Sequence, residues 1–207
     1  MFLRGLVEAQ FNGSHVGRAV VFFLLPTLLW VAFSSVFGFK IDAPVLGLSV
    51  GLGLLSWLVM SGLLVVLIKL FKGRDANAKF SSILCAFSVN YLIAAVSGLL
   101  IIGIIFVAIP GLFQKVSSLQ GQEVDFEQMV SVVGSLALPS DIVVLGVFAL
   151  TGIIALIASL TGVYVIYRIG SLARETSRFS NLVFTAIALG LMIAADYALR
   201  AITGSFL

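Results

Sequence analysis

Residues 83–109 read ILCAFSVNYLIAAVSGLLIIGIIFVAI, twenty-seven positions without one Asp, Glu, Lys or Arg. Crossing a hydrocarbon core of about 30 Å takes about 20 consecutive apolar residues in helical form. The run is long enough to span a bilayer, and Pro110-Gly111 cannot prolong its helix. Two similar runs precede it. One covers 44–68, opened by Asp42 as an N-cap and Pro44 in the first turn and closed at Lys69. The other covers 19–39 (AVVFFLLPTLLWVAFSSVFGF), in which Pro26 removes a backbone donor and predicts a kink. Two more follow, 142–167 behind Ser140 or Asp141 and 182–203 near the chain end. The five take up more than half of the chain.

The composition agrees, with 61% apolar and 10% charged residues among 207 and a mean hydropathy of +1.22. Soluble domains carry about a quarter charged residues. The expected fold is therefore all-α, a single polytopic membrane helix bundle over residues 1–207. One histidine (His15) and one cysteine (Cys85) supply neither a zinc site nor an ordinary Cys-His pair. No P-loop, H-E-x-x-H or G-x-S-x-G is present. The expectation is a protein that is not an enzyme, without cofactor or metal.

Orientation follows from Lys and Arg, which favour cytoplasmic loops. Arg4, Arg18, Lys69, Lys72, Arg74, Lys79, Arg168, Arg174 and Arg178 fall on one side, against Lys40, Lys115 and Arg200 on the other. This predicts the N-terminus inside and the C-terminus outside. Seven of these cations (Lys69, Lys72, Arg74, Lys79, Arg168, Arg174, Arg178) form a basic inner face. Each is worth about 1 kcal/mol of attraction to anionic lipid, which makes such lipid the expected partner there. Nucleic acid is not expected, because no aromatic residues interleave an exposed basic surface.

In the outer loop, 110–141, Phe126, Met129, Val130, Val133 and Leu136 recur at helical spacing and predict a short amphipathic helix. Its reading as a lid stands beside a plain cover for the bundle. Glu123, Asp125 and Glu127 diverge on a helix and read as a solvated acidic face. At the start, Phe2, Leu3, Leu6, Val7 and Phe11 gather near one face before Asn12-Gly13-Ser14. They predict an interfacial helix capped by Ser14 that adds no chemistry.

A charged side chain at the centre of a span costs about 2.5–3.5 kcal/mol. Asp196 and Arg200, four apart on the last span, read either as a structural pair or as an ion site. Asn90, in the inner third of the third span, needs a hydrogen-bond partner and reads as interhelical glue or as part of a polar path. Small residues at i, i+4 predict close helix packing at Gly47 and Gly51, at Ala94 and Gly98, at Ala158 and Gly162, and along Ala186, Gly190 and Ala194.

The stretches KLFKGRDANAKFSSILCAFSVNY (69–91) and VYVIYRIGSLARETSRFSNLVFTAIALG (163–190) lead into the third and fifth spans. With five spans and an inside N-terminus, this pattern resembles the Yip1 family. The resemblance implies a non-enzymatic membrane protein with no assigned catalytic residues; eukaryotic members act in Golgi and ER traffic and contact Rab GTPases. No D-L-x-G-P motif occurs, so the implied member is of the prokaryotic type, in a plasma (inner) membrane. Two functions are consistent with the residues. One is a scaffold, accessory subunit or membrane-organising factor that meets a membrane-protein partner or its own copies. The other is a small oligomeric channel or transporter using Asp196, Arg200 and Asn90.

Overall fold

The computed structural model describes residues 1–13, 15–72, 79–109, 113, 141–174 and 177–204. Seven helices cover them: α1 (Phe2–Gly13), α2 (Val16–Phe37), α3 (Ala43–Lys72), α4 (Phe80–Phe87), α5 (Val89–Ala108), α6 (Asp141–Arg174) and α7 (Arg178–Gly204). There is no strand among the described residues. Five helical stretches are long and apolar enough to cross a membrane, with α4 and α5 forming one of them. The chain is a multi-pass membrane helix bundle. The amphipathic helix expected within 110–141, its acidic cluster and the Ser14 cap lie outside the described residues; His15 stands at the N-cap of α2 and makes no side-chain cap hydrogen bond.

The spans overshoot their expected limits at one end. α2 starts at Val16 rather than residue 19, α3 runs on to Lys72, α4 begins at Phe80, α6 reaches Arg174 and α7 begins at Arg178. Lys and Arg end an apolar run but are good helix formers, so the helices continue past the hydrocarbon. This end carries the basic residues and is called the basic end here; the opposite end is the far end.

Packing follows the overshoot. The main buried cluster joins Val7 and Phe11 of α1, Leu64 and Ile68 of α3, Ile83 and Ala86 of α4, Val165 and Ile169 of α6, and Phe184 and Ala188 of α7. All lie in the basic half. In the far half of α6, no residue from 143 to 160 is buried. α6 packs on α5, α7 and α1, α2 packs chiefly on α5, and α3 packs on α4 and α7. Consecutive helices α2 and α3 touch only slightly and leave a cleft between them at the far end.

Two local devices set this geometry. Gly38 adopts φ 73° just after α2, the left-handed conformation that costs glycine nothing. The Phe39 N–H then donates to the Ser34 carbonyl at 2.9 Å, and the chain turns toward α3. The second is the break at Ser88 between α4 and α5. Ser88 Oγ donates to the Cys85 carbonyl at 2.6 Å, competing with the helical ladder. Trp57 Nε1 of α3 donates to the Leu84 carbonyl at 3.2 Å. The same carbonyl accepts from the Ser88 N–H at 3.2 Å, so the indole adds a second bond that ties α3 to the break. The Trp57 ring also stacks on Phe23 of α2, with centroids 5.0 Å apart and 9° between planes, and Tyr91 meets Phe23 edge-on at 5.1 Å.

Candidate functional site

The helix that was expected to lie in the interface is the one the bundle holds. α1 packs on α4 and α6, with Val7 and Gln10 fully buried and Phe11 nearly so. This corrects the expectation of an interfacial helix without chemistry. Leu3, Leu6, Val7 and Gln10 recur at i, i+3, i+4 and i+7, one face of a helix. That stripe suits a protein groove as well as a lipid surface.

On the neighbouring face, Glu8 links α1 to α6. It accepts a hydrogen bond from Arg4 Nε at 2.9 Å, one turn away, and another from Arg168 Nη2 of α6. Arg4 and Arg168 hold the Glu8 carboxyl below its ordinary value, chiefly through these hydrogen bonds, and Glu8 raises the Arg4 guanidinium in return. The Arg168 side chain is only 15% exposed, and its Nε is buried without a partner. Arg168 is thus a tether for α1, which corrects its place in a freely lipid-facing basic surface. Lys69, Lys79 and Arg178 are exposed. Arg74 and the side chains of Lys72 and Arg174 lie outside the described ones.

Gln10 is the second unforeseen feature. Both amide atoms are buried with no hydrogen-bond partner. A buried unsatisfied polar group costs about 1–3 kcal/mol, so docking α1 carries a penalty that Val7, Phe11 and the Glu8 tether offset.

The polar residues expected within the spans do not form one site. Asn90 reaches α6, where its Oδ1 lies 3.3 Å from the position of a Cβ on Gly162. Its oxygen is buried without a donor, so it is a contact and not a hydrogen-bonded bridge at that atom. Asp196 is half-buried on α7 beside Ala195, and the Arg200 side chain lies outside the described ones. α5 and α7 each pack chiefly on α6 and at most slightly on each other.

Of the small-residue seams, Ala158 and Gly162 are half-buried on α6, with Asn90 of α5 against Gly162; the others face outward. Gly47, Gly51, Ala94, Ala186, Gly190 and Ala194 are exposed, and Gly98 is half-exposed. A Cβ added at Gly47, Gly51, Gly98 or Gly190 meets nothing within 4 Å. The packed face of α7 is instead Asn181, Phe184, Thr185, Ala188 and Met192. The close approach of α7 to α6 occurs at Gly170, where a Cβ would lie 2.7 Å from the Phe184 ring. Apolar side chains gain nothing by leaving lipid, so small residues are free to face outward. Among the described residues, no group of three or more His, Cys, Asp or Glu is placed to hold a metal. Compared with family models, curated proteins and solved structures, the chain matches none.

Proposed function

We propose that this chain is a non-enzymatic membrane scaffold or accessory subunit of Yip1 type, in a prokaryotic plasma membrane, which associates with a second membrane protein or with its own copies. The observation that carries this reading is the outward placement of the small-residue stripes. Ala186, Gly190 and Ala194 on α7 and Gly47 and Gly51 on α3 are exposed, while internal packing uses other faces. Small residues allow the backbone of a neighbouring helix to come close, so these stripes suit helices from another chain.

Solubilisation in mild detergent, followed by mass spectrometry of whatever remains in fixed stoichiometry, tests it. The expected result is a constant partner chain or a homo-oligomer that Gly190→Leu disperses while the fold survives. A chain that purifies only as a monomer under the mildest conditions overturns the reading. One observation favours the channel alternative: Asp196 sits half-buried beside the packed face of α7 and not on its lipid side. Loss of ion flux in proteoliposomes on Asp196→Asn would support that alternative, and unchanged flux would remove it.

A further inference from the structure

At the far end, α2 and α3 diverge around a cleft of about 450 Å³, within the size range of small-molecule sites. Its chemistry is graded. Lys40 and Asp42, in the segment joining the two helices, line the rim. Ser34 and Ser49 lie below them, and Pro26, Trp30 and Leu46 form the apolar walls. At 1.5 Å per residue, Pro26 lies roughly 15 Å below the end of α2, so the cleft descends most of one leaflet.

Two observations point to an amphiphilic occupant. The Ser34 hydroxyl is buried, at 1% residue exposure, and has no hydrogen-bond partner although Ser34 lines the cleft. A hydroxyl in that position needs an acceptor. Trp30 and Val45 line the same cleft and are about half exposed, so it opens sideways into lipid as well as toward the membrane surface. Opposite charges at the rim, a hydroxyl beneath them and apolar walls below match the order of groups along a zwitterionic phospholipid.

We propose that the cleft binds one zwitterionic phospholipid of the phosphatidylethanolamine class from the far-end leaflet. Its phosphate meets Lys40, its ammonium meets Asp42, an ester carbonyl accepts from Ser34 Oγ, and an acyl chain lies along Pro26, Trp30 and Leu46.

The chain reports on this site itself. It has two tryptophans: Trp30 in the cleft and Trp57, 2% exposed in the core. The full chain is reconstituted in phosphatidylcholine bilayers containing increasing fractions of acyl-brominated phosphatidylethanolamine, phosphatidylcholine or phosphatidylglycerol. Emission of the Trp30→Phe variant, which retains Trp57 alone, is subtracted to isolate Trp30. The expected result is Trp30 quenching by phosphatidylethanolamine about fivefold above its mole fraction, the scale set by one charge contact near a membrane surface. Asp42→Asn should return quenching to the mole fraction, because the ammonium contact alone separates phosphatidylethanolamine from the host lipid; Lys40→Arg keeps the preference, and Trp57 emission stays unchanged throughout. Quenching that follows mole fraction for all three lipids overturns the proposal. So does a preference for phosphatidylglycerol, which has no ammonium. A shift of Trp30 emission by soluble phosphoethanolamine, without any lipid preference, would assign the cleft to a soluble zwitterion and also overturns it.

Discussion

Gly170→Ala tests the packing of the basic half most directly. The new Cβ would lie 2.7 Å from Cδ1 and Cε1 of Phe184, against about 3.5–4.0 Å for ordinary carbon contacts. The shortfall is about 1 Å. The ring has little room to yield: Phe184 is fully buried, and Phe71 meets it edge-on with centroids 6.0 Å apart. Either α6 and α7 separate or the ring leaves its position, and overpacking of this kind costs about 1–3 kcal/mol. Replacing a helical glycine with alanine returns about 1 kcal/mol of helix propensity in water. Less is returned in a membrane, where the unfolded helix stays helical. The clash wins, and the net expectation is a loss of about 1–2 kcal/mol. Titration with SDS in mixed micelles, followed by Trp57 emission, should show an earlier midpoint. Gly190→Ala, with nothing within 4 Å of the new Cβ, should leave the midpoint in place. In Gly170→Ala with Phe184→Leu, the smaller side chain makes room, so the double variant should lose less than the two single losses combined. A Gly170→Ala midpoint at or above wild type, or strict additivity in the pair, would refute the close approach of α6 and α7.

Three further outcomes follow from α1 and its surroundings. Glu8→Gln should speed hydrogen exchange in residues 2–13 while leaving α3 and α7 protected. Because Arg4 and Arg168 depress the Glu8 pKa, the tether is fully present above the ordinary value of 4.5 and is lost as pH falls through the lower folded value. Wild-type α1 should therefore loosen only in acid, and an exchange rate independent of pH after correction for intrinsic chemistry would contradict the tether. Gln10→Leu should raise the SDS midpoint, since removing an unpartnered buried amide recovers about 1–3 kcal/mol; a lower midpoint would mean that Gln10 has a partner. Trp57→Phe keeps the stack on Phe23 but deletes the bond to the Leu84 carbonyl, and should cost about 1 kcal/mol when the SDS titration of both proteins is followed by circular dichroism.

The spans were legible because each apolar run is longer than a bilayer requires and contains almost no charge. Their ends were less so, since Lys69, Lys72 and Arg168 interrupt hydropathy without interrupting a helix. The docking of α1 was hidden for a different reason. A twelve-residue amphipathic stripe satisfies a membrane surface and a protein groove equally, and only the tertiary structure brings Arg168 to Glu8. The pair Arg4 and Glu8, at i, i+4, was the one local hint. The small-residue stripes misled because spacing shows that a helix can approach closely but not whether that helix belongs to the same chain. Gly170, with Ala173 and Arg174 after it, has no such spacing partner, yet it is where α7 comes nearest.

The bundle is more tightly packed in its basic half than in its far half. In the basic half α1 and the overshooting helix ends converge on one buried cluster, with Trp57 and Leu84 in a second, so substitutions there act through stability. In the far half α6 meets α5 but buries no residue from 143 to 160, and the α2–α3 cleft is lined by residues that support little of the core. Such residues are under weak packing constraint within the chain. Lys40 and Asp42 lie in that half, at the rim of the cleft. Stability-neutral substitutions that change association or lipid preference should accordingly concentrate there, along Gly47, Gly190, Lys40 and Asp42, and should be rare among Val7, Ile83, Ile169 and Phe184.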